Sequence, residues 1–175
     1  EIPDPRLVPH EAMQAARQHH LEQARGSCDF FAMLKLYDEY REQRGALSRK
    51  QLSEWCRRNF LAPSRMREWR DLTRRLRQEL GVLKGKINHQ AASEDAVHRA
   101  LLSGLLDQVA MKSDDGRYTG TYGKQLAIFP GSALAKNAPK WIMAAEMVET
   151  SQLFARSVAP IRASWIEELA GPLVR

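Results

Sequence analysis

Asp114-Asp115-Gly116-Arg117-Tyr118-Thr119-Gly120-Thr121-Tyr122-Gly123-Lys124-Gln125-Leu126-Ala127-Ile128-Phe129 is the stretch in which the chain stops reading as helix. Asp114-Asp115-Gly116 is a turn signal, because aspartate bonds its own backbone and glycine takes positive φ freely. Residues 117–121 and 125–129 are short, carry β-branched and aromatic side chains, and are parted by Gly123, as two paired strands require. Pro130-Gly131-Ser132 breaks the chain again, after which Trp141 to Val148 and Leu153 to Ile161 read as further strands and Ala163 to Leu169 as a closing helix. Short strands and turns over roughly 70 residues suit a small β-barrel. His98 to Leu106 reads as a short helix leading into it.

Upstream the period changes from two to 3.6. His10 to Arg25 is rich in Ala, Gln, Glu and Arg, and Gly26 marks its end. Ser27 is placed to cap a second helix carrying Phe30, Phe31, Leu34, Tyr37 and Tyr40, with Gly45 as its stop. Ser48 with Gln51 three residues on is a capping box, and the helix it opens sets Leu52, Trp55, Cys56 and Phe60 on one side. Pro63-Ser64 starts a fourth, with Met66, Trp69, Leu72, Leu76 and Leu80 expected inward and Gly81 at the stop. Leu83 to Asp95 is polar and aperiodic, a connection between domains. The expected fold class is α+β, with an all-helical bundle over 1–93 followed by a small β-barrel over 94–175.

Composition narrows the function. The 175 residues are 43% hydrophobic, enough for a packed core, and no apolar run approaches the roughly 18 residues of a membrane span. No signal segment opens the chain, and a first residue other than Met suggests a piece of something longer. Two distant cysteines, Cys28 and Cys56, fit buried thiols in a reducing, cytoplasmic setting. The net charge of +6 is lopsided: eighteen Lys/Arg face twelve Asp/Glu up to Ser93, and nine face nine beyond it. Arg49 to Arg77 alone holds ten basic and three acidic residues, a pattern that suits a polyanion, with nucleic acid ahead of a membrane surface. On a helix, Arg67, Arg70, Arg74 and Arg77 share one arc of about 80°. Four such guanidinium groups can each meet a phosphate oxygen; local pairing of Glu68 or Asp71 with Arg75 is the bland alternative.

Catalytic signals are missing. Gly85-Lys86 and Gly123-Lys124 lack the upstream glycine and following hydroxyl of a phosphate-cradling P-loop. His19 and His20 point about 100° apart on a helix, so they do not converge on one metal ion, and both read as solvated surface residues. Ser132 has no neighbouring base to make it a nucleophile. The chain by itself reads as neither an enzyme nor a metal protein. Lys124, Lys136 and Lys140 flank the strands and suit tracking of a single-stranded backbone, while Tyr118, Phe129 and Trp141 are candidates either for base stacking or for the core.

Several motifs in order resemble one family. Cys28-Asp29-Phe30-Phe31-Ala32-Met33-Leu34, Trp55-Cys56-Arg57-Arg58-Asn59-Phe60-Leu61 and Arg67-Glu68-Trp69-Arg70-Asp71-Leu72 are similar to segments of the helicase-associated region of DEAH-box RNA helicases. His98-Arg99-Ala100-Leu101-Leu102, Tyr118-Thr119-Gly120, Ile128-Phe129-Pro130-Gly131-Ser132 and Pro139-Lys140-Trp141-Ile142 are similar to the OB-fold that follows it, in the bacterial HrpA-type form. The resemblance implies a ratchet-like helical domain and an OB-fold that close a channel around single-stranded RNA, with loops around Ser132 to Lys140 as further backbone contacts. It also implies that ATP, magnesium and 3′-to-5′ unwinding belong to RecA-like domains of a parent chain, with a winged helix between. Those domains and RNA are the expected partners of a monomeric fragment; a platform docking on the helicase core or a regulator is the alternative.

Overall fold

The computed structural model describes residues 3–24, 26–86 and 90–171. They form two compact units, Glu1–Gln23 with Leu34–Ala91, and Ala24–Met33 with Ala92–Arg175. Sequence reading places 24–33 with the helices; here it packs with the barrel, because Cys28, Phe30 and Phe31 join the barrel's apolar core.

The first unit contains α1 (Met13–Gln23), most of α2 (Asp29–Ala46), α3 (Arg49–Arg58) and α4 (Pro63–Val82). Ser48 Oγ accepts from Gln51 N–H at 3.4 Å and Gln51 Oε1 from Ser48 N–H at 3.0 Å, the expected capping box. Pro63 takes the first turn of α4, where its missing N–H costs nothing. Four expectations fail. Ser27 does not cap α2: its hydroxyl donates to the Cys28 carbonyl, which also accepts the helix's first bond, from Ala32 N–H. Gly45 and Gly81 are helical, since α2 and α4 run one residue beyond them. Leu76 and Leu80 are exposed, with Val82 and Leu83, because the buried side of α4 lies near its start, at Met66. His20 is buried, its ring within 3.1 Å of the Leu7 carbonyl, and half-buried His19 meets the Phe60 ring edge-on. The cover on His20 is the segment before α1, held by Leu7 N–H to the Phe60 carbonyl and Ala62 N–H to the Pro5 carbonyl. The core is Ala16, Leu36, Tyr40, Cys56, Leu61 and Met66, with Tyr37 and Trp69 ring centroids 4.8 Å apart beside it.

The second unit holds α5 (Glu94–Leu102), β1 (Val109–Lys112), β2 (Tyr118–Gly120), β3 (Gln125–Ile128), β4 (Trp141–Glu149), β5 (Leu153–Pro160) and α6 (Ala163–Ala170). Strand β1 escapes sequence reading, being four residues long and adjacent to a Leu-rich helical run. The barrel closes in the order β1-β2-β3-β5-β4, with β3 and β5 parallel and the other pairs antiparallel. Among the described residues, closure gives each strand a neighbour on both sides. Alternate residues of β4 and β5 serve two cores: Ile142, Ala144 and Val158 join Tyr118 and Leu126, whereas Met143 and Ala159 join Leu102, Ile161 and Trp165. Both faces are therefore covered from Trp141 to Ala144, which is why that stretch is an unbroken apolar run. Tyr118 donates its hydroxyl to the Pro139 carbonyl, and burial pushes its pKa up to about 12.

Candidate nucleic-acid interface

Helix α4 presents its arginines along two adjoining grooves of the first unit. Arg67 and Arg70 border one of about 340 Å³, together with Arg44 and Arg49. Arg70, Arg74 and Arg77 border the other, about 530 Å³, together with Arg41 and Arg44. All four arginines singled out from the sequence thus lie along continuous concave surface. Arg41, Arg44 and Arg49 were not among them, although Arg41 and Arg44 stand three residues, about one turn, apart on α2; spacing along one helix does not show which other helix shares its groove.

The carboxylates are too few to neutralise this surface. Asp71 accepts from Arg70 at 2.7 and 2.9 Å and lies 3.7 Å from Arg74, in place of the pairing with Arg75 weighed above. The Arg70 hydrogen bond holds the Asp71 carboxyl below its usual range. Among the described residues no carboxylate sits within ion-pair distance of Arg67 or Arg77. Burial pushes the Cys56 thiol up, so it stays uncharged at the floor of the smaller groove.

In the second unit Lys124, Lys136 and Lys140 are exposed, and no hydrogen bond or ion pair ties their ammonium groups among the described residues. Ser132 is not available to a ligand. It is 4% exposed and its hydroxyl donates to Asp29 at 2.7 Å. Asp29, 3% exposed, also accepts from Ala133 N–H at 2.8 Å and from Val158 N–H at 2.7 Å. The Val158 bond forms beside Ser157, whose φ of 51° turns the strand out of regular geometry. Asp29 and Ser132 thus shape the 129–135 loop from beneath. Of the aromatic candidates, Tyr118 is core, Trp141 is half-buried against the core cluster, and Phe129 carries the Arg156 guanidinium 4.5 Å from its ring centre. Sequence reading passed over Tyr122. It is 94% exposed with φ 58° at the tip between β2 and β3, and Thr121 Oγ1 anchors that tip to the Asp107 carbonyl at 2.7 Å.

Residues 97–173 match the family model of the oligonucleotide/oligosaccharide-binding (OB) fold. Over 99% of its length the chain is 41% identical to the ATP-dependent RNA helicase HrpA homolog of Haemophilus influenzae and 39% identical to the ATP-dependent RNA helicase HrpA of Escherichia coli. The chain matches the C-terminal region of HrpA-type DEAH-box RNA helicases. An HrpA of Borreliella burgdorferi is 21% identical over 93% of the chain. The chain spans 13% and 14% of the length of the Haemophilus and Escherichia HrpA relatives. The residues present do not fit the ATP that the names of those HrpA relatives imply: the sequence carries no P-loop pattern, and among the described residues no group of three His, Cys, Asp or Glu could hold a metal. No helix among them is long and apolar enough to cross a membrane.

Proposed function

We propose that this chain is a single-stranded RNA-binding region that grips the phosphate backbone and, within a longer ATP-dependent helicase, helps close the RNA channel. The observation carrying this reading is the pair of grooves lined by seven guanidinium groups, of which Asp38 pairs with Arg41 and Asp71 with Arg70 and Arg74. Guanidinium groups meet phosphate oxygens through paired hydrogen bonds, and several such contacts release counterions on binding. Backbone contact carries no sequence information, so little sequence preference is expected. On this reading 1–93 is the ratchet-like domain, with 24–33 seated in the other unit, and 94–175 is the OB domain. Exposed Lys124, Lys136 and Lys140 supply weaker backbone contacts there, and Tyr122 a surface for a base. ATP hydrolysis and magnesium binding fall to RecA-like domains elsewhere in the parent chain.

Titration of fluorescent single-stranded RNA at several salt concentrations tests the proposal. Replacing Arg67, Arg70, Arg74 and Arg77 by Ala should flatten the salt dependence by a slope of about 3, at about 0.7 per phosphate contact on single strands. Unchanged slope and affinity would end it.

One observation favours a second reading, a docking platform for the helicase core or a regulator. Leu76, Leu80, Val82 and Leu83 leave an apolar edge at the end of α4. Binding of added RecA-like core at high salt, where phosphate contacts fade, would favour docking over RNA capture.

A further inference from the structure

The two grooves differ in kind. The larger is bordered mostly by polar and charged side chains, as tracking of a phosphate backbone requires. The smaller has the same cationic rim but an apolar interior, where Leu47, Leu52, Pro63 and Cys56 form the wall. Phosphate binding accounts for the rim and leaves the interior unexplained. At about 340 Å³ it is at the small end of pockets that bury organic ligands. A ligand matching it has a flat, weakly polar body next to an anionic group.

We propose that this recess receives the base of one nucleotide of the bound strand, turned inward where its phosphate meets Arg44 and Arg70. Those two residues border both grooves, so a phosphate held there has the backbone track on one side and the recess on the other. The inference rests on the RNA reading above and adds to it a position where the strand is held by a base. Guanidinium planes of Arg49 and Arg67 at the rim can stack on that base, and the aliphatic wall removes its faces from water. The recess offers two hydroxyls, from Ser53 and Tyr40, each able to donate or to accept. It should therefore accept different bases with similar affinity.

The test uses the whole chain, a 5′-labelled single-stranded RNA of about 12 nucleotides, and an abasic strand of equal length, with binding read by fluorescence anisotropy. Burial of even one base gives the intact strand an advantage of about tenfold or more. Ser53→Trp, which fills the recess, should remove about tenfold from intact RNA and leave the abasic strand within about twofold. Leu47→Asn, which makes the wall polar without filling it, should act in the same direction less strongly. Unchanged abasic binding also shows that each variant is folded. Equal affinity of the two wild-type strands, or equal effects of both variants on both strands, would overturn the base pocket while leaving backbone gripping intact. Absence of salt-dependent binding to either strand would instead remove the RNA reading and this inference with it.

Discussion

The helical unit and the barrel unit solve opposite problems. Helix α4 buries one of its twenty residues, Met66, and carries its cations outward, whereas β5 buries three of eight and contributes to two apolar clusters. The barrel half is neutral overall and keeps its densest polar arrangement, the Asp29 network, inside. The difference separates two demands on a nucleic-acid-binding region. Affinity for phosphate needs charge in water-accessible grooves, while a fixed loop shape needs polar groups satisfied out of water.

The most damaging way to break this contrast is at Asp29. Asp29→Ala strands three donors at once, and the loss should be about 3–5 kcal/mol of stability in chemical denaturation. A loss under about 1 kcal/mol would mean that the buried network is not what holds the loop. In the helical unit, Met66→Ala should cost about 2–4 kcal/mol, and Leu76→Ala on the same helix, at 59% exposure, less than about 0.5. Equal effects would show that the end of α4 is covered in solution, which favours the docking alternative.

Acid sharpens the comparison between the buried histidines. Burial lowers the pKa of both His98, whose Nε2 is 3.2 Å from Cys28 Sγ, and His20. The unfolded chain then takes up protons first as pH falls below the ordinary imidazole value of 6.5, so stability drops from there down to the folded pKa values. Thermal melts between pH 8 and about 5 should show this decline. His98→Gln and His20→Gln should each reduce the slope in their own unit; a flat profile for the wild type would contradict the burial of both rings. The smallest effect is expected at Asp71. Asp71→Asn releases Arg70 and Arg74 and should raise RNA affinity about two- to threefold at low salt, an advantage that fades as salt rises.

Much of the fold is legible locally. The box at Ser48 and Gln51 opens a helix wherever it stands, since both bonds lie within four residues. The apolar run that opens β4, Trp141 to Ala144, announces a strand because both of its faces must be covered. Strand β1 is illegible for the reverse reason: four residues carry too short a period, and the barrel's closure, with β2 and β4 on either side, is what makes Val109 to Lys112 a strand. The site divides the same way. Spacing alone puts Arg67, Arg70, Arg74 and Arg77 on one arc, but it does not reveal that Arg41, Arg44 and Arg49 share their grooves.

By itself the sequence determined what depends on neighbours along the chain: the starts of α3 and α4, the turn at Asp114-Asp115-Gly116, the side of α4 that carries charge, and the surplus of cations before Ser93. Only the tertiary structure decided what depends on residues far apart in the chain. It buried His20 beneath the segment before α1, and it took Ser132 from the solvent to Asp29, 103 residues away. Local spacing fixes a direction on a helix or strand; whether that direction meets water or protein is set by elements that arrive from elsewhere in the chain.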